Sequence, residues 1–507
     1  MKSLLIALAV AQIGCMCVEL LTSPRSPLVS RSMAAVLLRA AVFAFVFAFF
    51  FAISWRPAFA AAATIVFTAV FVAISRAKVA FIHEPLVFAD MAFVADLFRH
   101  PKLFYTTFLG PLFLAAAIGS IAAIISSWFH LEPHMLPASG GSVAVVGLGA
   151  GWLLLALAPF LPILRQPLER WALAIKSGPE PHPDVAADGQ LVTLAGDFLA
   201  WRGDDRARRI ACWTPALPLP LPLTRLGERP AAQLIVVAQC ESFFDFRRLD
   251  GCPLALPALD TARRRAAAWG TLETPIAGGY TMRSEFALLT GRKPQDIGFD
   301  RYYPYLKSAP YGQQSLPAAL RNSGYQTTFI HPYYADFFWR HRGLPAIGFD
   351  RLLMIEAFTG AARVGDYVAD LAVAERVVAI AKASQRRQFL FAATMENHGP
   401  WEVGRFPGLT EPIAIFKQHL ANGDRMLGYL LDAFENWPGR MVLLFYGDHV
   451  PLLKAYADPF ADPRTDYVLL ELGRDVVQQA PRPAQQRAVH ELTWQLLSLA
   501  GFQLETR

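Results

Sequence analysis

The first 165 residues carry almost no charge, and that absence constrains the chain more than any motif in it. Apolar stretches run approximately Leu4–Leu21, Met33–Trp55, Pro57–Ile74, Phe104–Trp128 and Ser142–Leu164. Each is long enough, or nearly so, for a helix that crosses a bilayer, which takes roughly 20 apolar residues. Leu4–Leu21 can be read as a signal peptide. Four further spans follow it and its apolar run exceeds a typical signal core, so a retained helix is favoured. Hydrophobic residues make up 54% of the 507 positions, too many for an ordinary soluble enzyme. The expected organisation is a transmembrane domain of about five helices over residues 1–165, a linker with a Pro-rich segment over 166–229, and a large α/β domain over 230–507.

The formal net charge of +6 is mild. It suits a surface near anionic lipid headgroups, and no basic run is dense enough to argue for nucleic acid. Five spans put the two termini on opposite sides. If the N-terminus is cytoplasmic, the inside loops hold only Lys2 and Arg56. The other side then holds Arg25, Arg31, Arg76, Lys78, Arg99 and Lys102, followed by Arg165, Arg170 and Lys176. The positive-inside rule therefore favours a cytoplasmic C-terminal domain. Between Lys78 and Lys102, apolar residues alternate with His83, Glu84, Asp90 and Asp96, the pattern of a helix lying in the interface or of a simple connecting helix. Pro215, Pro218, Pro220 and Pro222 alternate with leucines, which suggests an extended polyproline linker. No zinc spacing occurs among the five cysteines, and Cys240 and Cys252 could pair in an oxidising compartment.

Beyond Arg229, strand candidates at Leu234–Gln239, Gln326–Ile330, Phe389–Thr394, Val442–Tyr446 and Tyr467–Leu470 alternate with helical patterns. Such alternation predicts a mostly parallel sheet with helices on both faces. Continuous apolar runs mark buried parallel strands, and open α/β sheets place their chemistry at the carboxyl ends of strands. The first run ends on Glu241 and the fourth on Asp448-His449. Either motif alone is weak, since a lone Glu at a strand end is usually solvated. Together they offer hard oxygen donors and one imidazole, suiting Mn²⁺, Mg²⁺ or Zn²⁺.

Three further segments carry candidate chemistry. In Gly278-Gly279-Tyr280-Thr281, the Thr opens an apolar helical run closed by Gly291. Thr281 can be a plain N-cap. The same geometry sets its hydroxyl among free backbone N–H groups that bind phosphate, where a cation would activate it as a nucleophile. In Glu396-Asn397-His398-Gly399-Pro400, His398 is either an ordinary turn histidine or a group that protonates or stabilises a leaving oxygen. The segment His331 to Arg342 mixes His, Arg and aromatics, as a surface loop or as a phosphate clamp with an aromatic wall.

These pieces in this order resemble the lipoteichoic acid synthase family of phosphoglycerol transferases, within the alkaline phosphatase/sulfatase superfamily. The residues that carry the resemblance are Glu241-Ser242-Phe243, Thr281 with Ser284-Glu285-Phe286, Gly348-Phe349-Asp350-Arg351, Glu396-Asn397-His398-Gly399-Pro400 and Gly447-Asp448-His449. A five-helix membrane part ahead of an extracytoplasmic catalytic domain also resembles the family, and opposes the charge count above. The resemblance implies Glu241, Thr281, Asp448 and His449 as ligands, usually of Mn²⁺. It implies Thr281 as the nucleophile that takes glycerophosphate from phosphatidylglycerol, with His331, Phe338, Arg340 and His398 contacting substrate. At Phe338 the family carries tryptophan, and here Trp339 stands beside it. The Cys/Ser-x-Pro-x-Arg signature of sulfatases is absent around Thr281, which argues against sulfate ester chemistry.

The resulting expectation is a bacterial inner-membrane transferase with a periplasmic catalytic domain. The Ala- and Arg-rich composition points to a Gram-negative cell, hence to a periplasmic glucan or capsular polysaccharide acceptor. Two other readings stay open. One is a phosphoethanolamine transferase or phosphodiesterase with the same site. The other is a non-catalytic membrane scaffold for polysaccharide assembly, which a missing ligand would betray.

Overall fold

The computed structural model describes residues 2–26, 32–100, 103, 111–176, 180–211, 223, 230–249, 252–474, 476 and 480–502. The chain divides into two compact units, Met1–Asp205 and Arg206–Arg507.

The first unit is helical. Its apolar helices are Lys2–Glu19, Met33–Ser54, Pro57–Ile82, Pro111–Leu131 and Gly141–Leu157. Four segments, the last extended to Phe160, are long and apolar enough to cross a membrane, and Ala115–Leu131 is a shorter apolar helix. The start of the expected span Phe104–Trp128 lies outside the described residues. Large apolar side chains point outward from these helices, such as Ile118 (67% exposed), Val143 (75%) and Leu154 (68%). A soluble protein does not expose apolar area on this scale, whereas lipid accepts it.

The ends of the helices are pinned by charge. The Glu132 carboxylate accepts the N–H groups of Ala58 and Phe59, each at 2.8 Å, capping helix Pro57–Ile82. At the opposite end Glu19 accepts from Arg39 Nε at 3.0 Å and from the Leu191 N–H at 3.0 Å. Lys176 likewise pairs with Asp184 and Asp197. The segment expected as linker, 166–229, therefore begins inside helix Pro162–Ile175 and continues with helices Pro181–Asp188 and Gln190–Gly203, all within this first unit. The polyproline stretch from Pro215 to Pro222 lies outside the described residues. Between Lys78 and Lys102 the chain completes one helix at Ile82, then forms a 3₁₀ turn Phe88–Phe93 and a short helix Val94–Arg99.

The second unit is built on an eight-stranded sheet. Its strands are β1 (Leu234–Cys240), β2 (Ala268–Glu273), β3 (Gln326–Ile330) and β4 (Arg351–Leu353), followed after a small hairpin of β5 (Arg363–Val364) and β6 (Tyr367–Val368) by β7 (Gln388–Ala393), β8 (Met441–Gly447), β9 (Thr465–Leu472) and β10 (Arg487–Ala488). The order is β10-β2-β9-β8-β1-β7-β3-β4. β9 runs antiparallel to both neighbours, and the other pairings are parallel. β1, β7 and β8 are buried along their whole length, the signature of a sheet covered on both faces. Leu234, Val236, Ala238 and Cys240 face a core shared with helices Pro257–Arg265, Asp370–Lys382 and Pro412–Phe434. The alternate residues Ile235, Val237 and Gln239 are equally buried on the other face, as the two-residue strand period requires.

Register sets the position of the site. Cys240 pairs with Gly447 across β1 and β8. The next residues, Glu241 and Asp448, therefore leave neighbouring parallel strands, roughly 4.8 Å apart, at the same carboxyl edge. Gly447 permits this, because a Cβ there would overlap the Phe243 carbonyl oxygen. Cys240 and Cys252 are both free thiols.

Candidate metal centre

Glu241, Asp448 and His449 converge, with one ligand atom from each lying within 4.8 Å of the others. His449 Nε2 is 3.3 Å from Glu241 Oε1 and 3.4 Å from Asp448 Oδ2. Donors bound to one ion at about 2.0–2.2 Å sit roughly 3 to 3.5 Å apart. His449 Nδ1 lies 3.0 Å from the Val450 carbonyl. A carbonyl only accepts, so this nitrogen carries the proton. In the neutral form of the ring, the form that can bind an ion, Nε2 is then a lone pair aimed at two carboxylates. It and Asp448 Oδ2 are buried with no hydrogen-bond partner. Acceptors crowded together and left unsatisfied cost stability, and a cation between them removes the conflict. The donor set fits a divalent ion on these grounds.

The electrostatics carry the same strain. Burial, and then the Glu241 charge, push the Asp448 carboxyl up to about 7. Burial opposes charge on His449, but Asp448 and Glu241 outweigh it and push the imidazole up to about 9, so without a cation a proton on Nε2 takes the place between the carboxylates. Glu241 is buried too, yet His449 holds its carboxyl below the ordinary value.

Thr281 is the first residue of helix Thr281–Thr290. The expectation that it caps the helix is corrected: Tyr280 occupies the cap position, at φ 54°, with no side-chain cap bond. The Thr281 hydroxyl is thus left to face the cluster, 3.5 Å from Glu241 Oε2. Ser284, one turn on, donates to the Asp448 carbonyl at 2.6 Å and ties the helix to the ligand loop. Two non-glycine residues take left-handed backbone here, Tyr280 and Ser242 (φ 51°), at about 1–3 kcal/mol each. They flank Thr281 and Glu241, so the strain sits where those side chains are aimed.

His398 is half-buried on the loop after β7. Its Nδ1 donates to the Gly399 carbonyl at 2.8 Å, which leaves Nε2 as an acceptor. Burial holds its pKa below the usual imidazole range, against the nearby Glu241 charge, so the ring is neutral. Arg405 fastens this loop by donating to the carbonyls of Glu396 and His398.

Arg340 and His331 sit deeper than a substrate clamp would. Arg340 is 1% exposed. It pairs with buried Glu285 through Nε and Nη2 and donates from Nη1 to His331 Nε2 at 3.1 Å. The other ring nitrogen of His331 donates to the Ala393 carbonyl at 3.0 Å. Phe338 is buried with Arg340 lying 5.1 Å over its ring. Phe338 and Trp339 are consecutive left-handed residues (φ 57° and 56°).

Two residues beside the cluster have roles that sequence reasoning missed. Ser242 gives its N–H to Asp448 Oδ1 at 2.8 Å and its hydroxyl to Glu241. Glu285 is the counter-ion of Arg340. Its position four residues after Thr281, directly ahead of the apolar run Phe286–Leu289, is the signal that marks it as a buried charge in need of a partner.

A unit of membrane-length apolar helices is thus followed by a mostly parallel α/β sheet with a candidate metal cluster at its carboxyl edge. Residues 233–490 match the family described as Sulfatase. The chain belongs to that family, which lies within the alkaline phosphatase superfamily. It is similar to the capsular polysaccharide biosynthesis protein RkpI of Rhizobium meliloti (strain 1021), with 39% identity over 431 residues, 84% of this chain and 78% of that protein. A second protein of that organism, named for cyclic beta-1,2-glucan modification, is 28% identical over 257 residues, 47% of this chain and 38% of its own length. Among solved structures, the integral membrane lipooligosaccharide phosphoethanolamine transferase A (EptA) of Neisseria meningitidis has a similar fold. Its TM-score is 0.55 at 12% identity, covering 99% of this chain and 96% of that one.

Proposed function

We propose that the protein transfers glycerophosphate from phosphatidylglycerol to an envelope polysaccharide or glucan, through a phosphothreonine at Thr281. The observation that carries this reading is the Thr281 hydroxyl facing buried Glu241 at a helix N-terminus, beside two unsatisfied ligand atoms. Glu241, Asp448, His449 and the Thr281 hydroxyl would hold the ion, Mn²⁺ or alternatively Mg²⁺ or Zn²⁺. When bound, a divalent cation lowers the pKa of the hydroxyl and offsets charge on the transferring phosphoryl group.

In the first step Thr281 Oγ1 bonds to the donor phosphorus as the phosphorus–oxygen bond to diacylglycerol breaks. The hydroxyl proton leaves toward the carboxylates it faces, and diacylglycerol departs protonated. The N-terminal N–H groups of helix Thr281–Thr290 bind the phosphate oxygens. His398 Nε2 accepts from a glycerol hydroxyl. Phe338 forms the wall toward the headgroup, and buried Arg340, with His331 behind it, holds that ring in place. In the second step an acceptor hydroxyl attacks the phosphothreonine, and Thr281 regains its proton.

RkpI's name associates that relative with capsular polysaccharide, and the second relative's name with a cyclic glucan. Both support a saccharide acceptor. Phosphatidylglycerol and saccharide meet at the outer face of the bacterial inner membrane, so the catalytic unit belongs in the periplasm on this reading. Phosphoethanolamine transfer by the same residues is the second reading.

Two measurements test this. With labelled phosphatidylglycerol and phosphatidylethanolamine offered separately, diacylglycerol is expected from the first only. Release from phosphatidylethanolamine alone would establish the second reading. A phosphatase reporter fused after Arg507 is expected to be active, as in the periplasm; a cytoplasmic signal would side with the loop charges and exclude outer-leaflet donors.

A further inference from the structure

We propose that a cavity beside the ligand loop is the acceptor site and takes the uncharged, hydroxyl-bearing face of a saccharide. This rests on the reading of Thr281 as the transferring residue and specifies what receives the group. The cavity measures about 680 Å³ and is lined by Glu273, Thr274, Ala277, Asp462, Arg464 and Gln486, among others. That volume falls within the range of small-molecule sites, roughly 300–1,000 Å³. None of the lining residues belongs to the metal cluster.

Its position follows from two hydrogen bonds to the ligand loop. On one wall the chain runs from Ala277 to Gly278, whose N–H donates to the Val450 carbonyl at 2.9 Å. Val450 follows His449. On the other wall Arg464 precedes Thr465, whose hydroxyl donates to the Gly447 carbonyl at 2.7 Å. Gly447 precedes Asp448. With consecutive Cα atoms about 3.8 Å apart, both walls come within about 10 Å of the ligand loop. The wall at Ala277 continues through Gly278, Gly279 and Tyr280 to Thr281. A short oligosaccharide lying in the cavity reaches the phosphothreonine.

Beside the apolar side chains of Ile276, Ala277, Ala461 and Pro463, the lining carries a rail of polar groups held by one another. Asp462 grips Arg464 bidentately, at 2.7 and 3.0 Å. Arg464 donates to Gln486 Oε1, and Gln486 donates to Glu273 Oε1. Carboxylates, a guanidinium and a primary amide in series present acceptors and donors side by side, the complement of vicinal hydroxyls. Because the groups already fix one another, a ligand need not order them. Asp462 pairs with Arg248 as well as Arg464, so two carboxylates stand against two guanidiniums and the rail carries no net charge, which suits an uncharged saccharide. In the transfer the saccharide oxygen bonds to phosphorus, the Thr281 Oγ1–phosphorus bond breaks, and the saccharide proton passes to Thr281.

The test uses the full chain with phosphatidylglycerol and a β-1,2-linked gluco-oligosaccharide as acceptor. Two exposed positions are altered: Ala461→Trp to fill the cavity and Gln486→Ala to break the rail. Both are expected to raise the acceptor KM about tenfold or more, the effect of one lost hydrogen bond to a charged group. Acceptor-independent release of diacylglycerol should be unchanged. Saccharide binding, followed by saturation-transfer NMR without lipid, should weaken in parallel. Unchanged acceptor KM and binding in both variants would overturn the proposal, as would failure of the oligosaccharide to bind the unaltered protein. If that protein binds saccharide but releases no diacylglycerol, the donor reading fails. The binding measurement then still decides the cavity: weakened binding in the variants supports it and retained binding refutes it.

Discussion

Thr281→Ala is expected to lower turnover by a factor on the order of 10⁴–10⁶, the range seen when a nucleophile is deleted from a site that keeps its other parts. The fold should survive the change. The Thr281 hydroxyl does not cap its helix, and its hydrogen bond to Glu241 is long at 3.5 Å. Alanine is also the better helix former. Stability should therefore move by no more than about 0.5–1 kcal/mol. Diacylglycerol release measures the loss, and thermal melting of the same preparation shows that the protein is intact. With the unaltered protein, brief exposure to phosphatidylglycerol should leave a glycerophosphate mass on the peptide containing Thr281. Thr281→Ser, which keeps a hydroxyl at the same place, should retain measurable turnover and the adduct. Turnover retained by the alanine variant would exclude the phosphothreonine route. Absence of any turnover in the unaltered protein, with every donor offered, would leave the scaffold reading.

Much of this arrangement is legible in the amino-acid sequence, and the reason is physical. β1 and β8 are fully buried, so their sequences are unbroken apolar runs. The first charge after each run, at Glu241 and Asp448, marks the sheet edge. The strands toward the β10 side of the sheet are written differently. In β2, Ala268-Trp269-Gly270-Thr271 has no apolar alternation, and Gly270 is there because a Cβ would strike the backbone of Gln485. β10 has only two residues, paired with Leu272 and Glu273. Neither leaves a trace at the level of hydropathy. Pairing of buried charges is equally hidden. Arg340 reads as a phosphate clamp in a loop of arginines and aromatics, and only the fold brings Glu285 against it across 55 positions. The cavity lining comes from the ends of β2, β9 and β10, so it too depends on strand order, which periodicity does not encode. In the membrane unit the apolar helices are plain from composition. The packing of helix Gln190–Gly203 against Glu19 is not, since the contact joins residues 172 positions apart.

The second large effect is expected from Asp448→Asn. It keeps the shape of the side chain and the acceptor oxygen that receives the Ser242 and His449 N–H groups at 2.8 and 3.0 Å. It removes the negative oxygen that is buried without a partner beside His449. Loss of groups that merely orient a metal ligand costs 10–100-fold in affinity, so loss of a ligand should weaken Mn²⁺ binding by about 100-fold or more. Equilibrium dialysis measures this directly, whatever the substrate proves to be. A melting experiment gives an independent readout. At 100 times its dissociation constant a ligand adds about 2.7 kcal/mol to the folded state. That increment should appear in the unaltered protein and vanish in the variant at the same Mn²⁺ concentration. Protons and cation compete for the same atoms, so binding must displace the protons that Asp448 holds up to about pH 7 and His449 up to about pH 9. Affinity in the unaltered protein should accordingly rise with pH across that window. The variant keeps only the His449 contribution, and its pH dependence should be shallower. Equal Mn²⁺ affinity in the two proteins would remove Asp448 from the ligand set and leave its unsatisfied oxygen without a cause.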